Sequence, residues 1–146
     1  GVQGPERKRK LRQREYAYDN REYQHSITYH AYAKDLCEHY NFDRSKYRLC
    51  VKEKRFAAIT RSDFAKLKED LQFLDNAMKT VLVTYQGYFR ERFVDGLSIR
   101  KYAEAHQLNR GSVDYQQKKF FSALASLLKE RDEAEGTCRL LKPAQK

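Results

Sequence analysis

The chain is poor in cysteine, and what it has is not arranged for bonding. Cys37, Cys50 and Cys138 are odd in number, widely spaced and without a CxxC pair. That argues against a disulfide framework and against a four-ligand zinc site, and leaves reduced thiols as the simple reading. Cys37, His39 and Cys50 could supply three metal ligands, but a fourth is not evident, so neither metal nor cofactor is expected. The six glycines are dispersed, so there is no glycine-rich loop to cradle a phosphate. No apolar run approaches the roughly twenty residues needed to cross a bilayer, and the first residues lack the hydrophobic stretch of a signal peptide. A soluble, cytoplasmic protein without a membrane partner is the expectation. His25, His30, His39 and His106 are scattered with no HExxH pairing. Asp63, Glu69, Asp70 and Asp75 fall along one predicted helix as solvent-facing charges. No serine or tyrosine nucleophile can be placed among supporting arginines, so no enzyme is expected.

What the chain has in excess is positive charge. Thirty Lys and Arg against twenty Asp and Glu give a net charge of +10 over 146 residues, the electrostatic footprint of a domain that neutralises phosphates. The same charge would also suit a membrane surface or an acidic protein. Residues 1–15 concentrate it in a polar arm, with Arg7, Lys8, Arg9, Lys10, Arg12 and Arg14. Such an arm is disordered when free; it either follows phosphates or a minor groove, or simply solubilises the chain.

The fold class is mainly α. Residues 16–59 form a tyrosine-rich N-terminal helical region, in which Tyr29, Tyr32, Ala33, Leu36, Cys37 and Tyr40 lie on one helical face. That face favours a half-buried stripe whose hydroxyls reach water over a base-stacking platform. Alternation at Tyr47, Leu49 and Val51 allows a short β-hairpin near 47–59, and a helix is the alternative there. Thr60 to Asp63 carries a capping-box signature. Over 60–95, Phe64, Leu67, Leu71, Leu74, Met78, Val81, Tyr85 and Tyr88 follow coiled-coil spacing. Either one long helix forms a homodimer, or a pair broken near Asn76 or Gly87 buries the stripe within the chain, which is slightly favoured.

The most informative stretch runs from Ser98 to Leu128, within a module at 96–131. After the turn signal Asp95-Gly96, Ser98 reads as an N-cap for a helix to about His106, with Ile99, Tyr102 and Ala103 facing inward. Ala103 is small where two steeply crossing helices must approach. Leu108 is expected to plug the turn, Asn109 to cap the next helix, and Val113 to point back at Ala103. The second helix presents Arg110, Ser112, Tyr115, Gln116, Lys118 and Lys119 outward, then continues as a packing element through Phe120, Phe121, Leu124, Leu127 and Leu128. The tail at 132–146 turns polar and reads as flexible, with Cys138, Leu140 and Leu141 able to dock back.

Through Gly96-Leu97-Ser98, Tyr102-Ala103-Glu104, Leu108-Asn109 and Gly111-Ser112-Val113, this module resembles the helix-turn-helix of the fourth region of bacterial sigma factors. It also resembles the small phage and mobile-element transcription activators of the ArpU and RinA type. Three positions depart from that pattern: Gln107 stands where glycine is frequent, His106 where an aliphatic residue is usual, and Gln116-Gln117 where an inward apolar residue is expected. The resemblance implies sequence-specific binding of double-stranded DNA and transcription regulation. Arg110, Ser112, Tyr115 and Gln116 fall where recognition helices read base edges, and Arg100, Lys101, Lys118 and Lys119 where phosphates are held. The preceding helices would offer a dimer surface or a contact to RNA polymerase. Two other readings stay open: a DNA-packaging adaptor resembling a small terminase subunit, and an inhibitor with an autoregulatory helix-turn-helix.

Overall fold

Thr28 sits in extended backbone and its hydroxyl accepts the Ala31 N–H at 3.1 Å. This N-cap starts the first helix of a computed structural model that describes residues 28–53 and 61–140. Helix α1 spans Tyr29–Glu38, α2 Tyr40–Glu53 and α3 Arg61–Lys79. A 3₁₀ turn at Val83–Tyr85 leads into the short α4, Gln86–Phe89, which passes directly into a π-helical turn, Arg90–Val94. Two further helices follow, α5 at Ile99–Ala105 and α6 at Arg110–Glu135. The protein is mainly helical, with no strand among the described residues and no helix there long and apolar enough to cross a membrane. The basic arm at 1–15, Tyr16, Tyr18, Tyr23 and Thr60 lie outside the described residues.

The tyrosine stripe is buried as its spacing predicts, but the helix carrying it is interrupted. Tyr32, Ala33, Cys37 and Tyr40 are buried, with Tyr29 and Leu36 packed against them. The backbone turns at His39 (φ −103°, ψ 10°), and α2 begins anew at Tyr40. The hydroxyls find carboxylates: Tyr32 donates to Asp70 at 2.8 Å, Tyr40 to Asp75 at 2.8 Å and Tyr29 to Asp132 at 3.0 Å.

Of the two possibilities near 47–59, hairpin or helix, the helix forms as far as Glu53, and the remainder lies outside the described residues. The physical reason is which side chains are hidden. Tyr47 stacks on Phe64 of α3 with ring centroids 5.5 Å apart, and Cys50 is buried against Leu67, three residues apart as a helix requires. Leu49 and Val51, which gave the alternating pattern, are each about half exposed.

The heptad-like stripe is consumed inside the chain. Leu67, Leu74 and Met78 of α3 are buried and Leu71 packs beside them. The break falls between Lys79 and Val83, later than Asn76 and earlier than Gly87. There Val81 drops out of the seam and is 68% exposed, while Tyr88 returns to the core.

Everything converges on α6. Phe120, Leu124 and Leu128 in its middle are fully buried, each worth about 1.5–3 kcal/mol of transfer free energy. Phe120 is ringed by Tyr85, Tyr88, Phe89, Phe93 and Phe121 at centroid distances of 5.3 to 6.4 Å. The distal end of α6 is held by charge. Arg131 donates to Asp70 at 3.0 Å and to the Tyr32 hydroxyl at 2.9 Å, pairs with Asp132 at 3.3 Å, and lies over the Phe73 ring. Glu69, Asp70 and Asp75, expected as solvent-facing, instead organise arginines and tyrosines.

The tail expected to be flexible from 132 is ordered through Leu140. Helix α6 runs to Glu135 and ends on Gly136 in the left-handed region (φ 68°), where glycine carries no Cβ penalty. The chain then folds back: Arg139 pairs with Asp132, with Glu69 at 2.5 Å and with Glu135 at 2.6 Å. Leu140 packs on the core. Burial pushes Asp132 toward the neutral acid, but hydrogen bonds from the Arg139 backbone and side chain, aided by Tyr29, outweigh it and hold this carboxyl below its ordinary range.

One buried acid has no such help. Asp43 is 6% exposed and its Oδ1 has no hydrogen-bond partner. Burial first, and then the neighbouring charge of Asp70, push its pKa up from 3.8 to about 7, against a smaller pull from Lys46. A carboxyl raised in the folded state keeps its proton where the unfolded chain has lost it. Its contribution is therefore fully retained below about pH 4 and is lost as pH climbs to about 7. Asp43→Asn should remove that loss. Urea titrations at pH 5 and pH 8 should show the wild type losing about 2–3 kcal/mol more than the variant between the two.

Candidate nucleic-acid interface

The helix-turn-helix forms from its own caps. Ser98 is extended (ψ 164°) and its hydroxyl accepts the Lys101 N–H at 3.1 Å, starting α5. Asn109 is extended (ψ 158°) and its side-chain oxygen accepts the Ser112 N–H at 2.7 Å, starting α6. Gly96 supplies the positive φ of 81° that turns the chain out of the π turn. Tyr102, Ala103 and Val113 are buried in one core, as their spacing predicts.

The turn between the helices is closed differently from the sequence expectation. Leu108 does not plug it; its side chain is 44% exposed. Its backbone does the work, because the Leu108 N–H reaches the Ala103 carbonyl at 2.9 Å. That path needs a left-handed residue, and Gln107 adopts φ 56°.

On the outer face, Arg110, Ser112, Tyr115, Lys118 and Lys119 are all exposed. Tyr115 is 61% exposed, and the Lys119 ammonium lies 4.7 Å from its ring centroid, so charge and aromatic surface form one unit. Arg100 and Lys101 are exposed on α5, with Arg100 paired to Glu104 at 3.3 Å. Gln116 differs from the others. It is half buried and lies beside Tyr102, whose pKa is raised by burial and by the charge of Glu91. The structure thus brings Arg110, Ser112, Tyr115, Lys118 and Lys119 onto one open helical region and turns Gln116 toward α5.

Behind this face lie residues that sequence reasoning did not single out. Arg92, in the π turn, donates to the Gln117 side-chain oxygen at 2.6 Å, to the Leu97 carbonyl at 2.7 Å and to the Tyr88 hydroxyl at 3.2 Å. Its neighbour Glu91 places both carboxylate oxygens within 3.0 Å of His106 Nε2. The His106 ring stacks on Tyr102 at 4.1 Å. His106, Gln107 and Gln117 therefore all have structural occupations. The available signal was Gln117 itself, since a polar side chain facing inward requires a partner.

Cys37 and Cys50 are buried in separate apolar clusters and are not brought together with His39. Burial pushes the Cys37 thiol well above its ordinary pKa, toward an inert neutral form. Among the described residues no group of three or more His, Cys, Asp and Glu could hold a metal ion. No protein-family model, curated protein or solved structure matches the chain.

The strained turn yields a direct test. A left-handed conformation costs an L-residue about 1–2 kcal/mol, offset by about 0.5–1 kcal/mol of extra chain entropy for glycine. Gln107 is solvent-exposed, so little else is lost on replacing it. Gln107→Gly should stabilise the protein by about 0.5–1 kcal/mol, visible as a raised midpoint in urea with an unchanged slope.

Proposed function

We propose that the chain is a sequence-specific binder of double-stranded DNA, a transcription regulator of phage or mobile-element type acting through a helix-turn-helix like that of sigma region 4. The observation that carries this reading is the solvent-open face at the start of α6. There Arg110, Ser112, Tyr115, Lys118 and Lys119 stand exposed on a helix whose opposite side is sealed in the core. An α-helix fits the major groove, and this one offers a guanidinium, a hydroxyl and an aromatic edge flanked by lysines. The mechanism is placement, not chemistry. Arg110, Ser112, Tyr115 and the half-buried Gln116 read base edges. Lys118, Lys119, Lys101 and Arg100 hold phosphates.

Base and phosphate contacts separate cleanly by experiment. After selection of a preferred duplex from random sequence, Arg110→Ala should cost about 1–3 kcal/mol on that duplex and relax preference at one base pair. Lys118→Ala should weaken binding to every sequence alike and reduce the salt slope by about one. Equal losses on preferred and scrambled DNA for both variants would remove the base-reading role.

A further inference from the structure

We propose that Glu91 and Arg92 are the alignment residues of the DNA reader: they fix the angle at which α5 and α6 are presented, and so set base selectivity without touching DNA. The proposal rests on the reading under Proposed function and extends it to residues on the opposite side of the motif.

The argument begins with the π turn. In an i to i+5 turn, closed here by the Asp95 N–H on the Arg90 carbonyl at 2.8 Å, one residue more than in an α-turn is accommodated. Phe89 and Phe93 both stay in the core, and of the three charged residues between them, Arg90, Glu91 and Arg92, the last two are delivered toward the reader. Each then takes a different helix. Glu91 grips the C-terminal end of α5 through His106, whose ring is in turn seated on Tyr102. Arg92 grips α6 through Gln117 and the connecting segment through the Leu97 carbonyl, with its guanidinium over the Phe93 ring at 4.9 Å.

Strength and geometry point to different roles here. The Glu91–His106 contact has both side chains about one-third exposed, and pairs so hydrated contribute little to stability. A guanidinium donating along three directions, by contrast, defines an orientation, which an ammonium on a flexible stem does not. Two adjacent residues on one rigid turn, each tied to a different reader helix, determine the crossing of those helices relative to the core. Gln117 is one turn after Val113 on α6, so a rotation there moves Tyr115 and Arg110 with it.

The test measures the ratio of affinities for the selected and a scrambled duplex, with folding followed by circular dichroism. Arg92→Met and Gln117→Leu should each lower that ratio by about tenfold, while affinity for scrambled DNA and its salt slope stay within twofold of wild type. Arg92→Lys keeps the charge but not the fork and should lose the ratio as Arg92→Met does. Gln117→Glu keeps an acceptor for Arg92 and should retain it. Folded variants that keep the wild-type ratio, or that lose both duplexes by the same factor, overturn the alignment role. Wild-type protein that prefers no duplex overturns the DNA-reading assignment and this proposal with it. If Arg92→Met is unfolded, the Gln117 pair decides the matter alone.

Discussion

A single helix, α6, carries three loads at once, and the remainder of the molecule is arranged around that fact. At about 1.5 Å per residue its 26 residues extend for about 39 Å. The first turns face solvent with Arg110, Ser112 and Tyr115, the middle is sealed by Phe120, Leu124 and Leu128, and the last turns are held through Arg131 and Asp132. No hinge separates these thirds. A side chain at the solvent-facing end is therefore positioned by packing further along the same helix, which limits the orientational freedom it would lose on binding any partner.

The charge distribution follows the same division. At the start of α6 and along α5 the cations are exposed, and among the described residues only Arg100 is paired there, with Glu104. At the far end two arginines are turned inward. Arg131 and Arg139 are almost covered and are matched against Glu69, Asp70, Asp132 and Glu135. Buried charges of this kind are costly to desolvate, and they hold only when geometry and hydrogen bonds are complete. Here they join α1, α3, the end of α6 and the returning tail. The net positive charge of the chain is thus not spread evenly over its surface. Part of it is structural and unavailable to phosphate.

Local signals were readable from the chain alone. The caps at Ser98 and Asn109, the tyrosine stripe of α1 and the inward set Tyr102, Ala103 and Val113 depend on residues within a few positions of one another, and each is where spacing places it. The failures came from distance. Nothing near Leu49 and Val51 decides between hairpin and helix, because the stacking of Phe64 on Tyr47 that favours the helix comes from another element. The interruption at His39 leaves the apolar periodicity unbroken, so a period count passes over it, and the break between Lys79 and Val83 was expected but placed only near Asn76 or Gly87. Leu108 looked like a plug because it is apolar, whereas the turn was closed by backbone and by the conformation of Gln107. Arg131 and Arg139 owe their roles to carboxylates 61 and 70 residues away, a pairing no local pattern encodes. For the candidate interface, exposure of the outer face was legible in the helical period, while the inner support from Glu91 and Arg92 was not.

The continuity of α6 has a consequence for how this protein can be divided. Many DNA-reading motifs behave as portable cassettes that can be grafted onto other scaffolds, but residues 96–131 taken alone would leave Phe120, Phe121, Leu124 and Leu128 without the rings and helices that now cover them. Such a fragment would be sticky and poorly ordered. The motif and the helices that cover it are one packed unit, so changing what its open face binds calls for swapping side chains on a retained helix, not for splicing the motif itself.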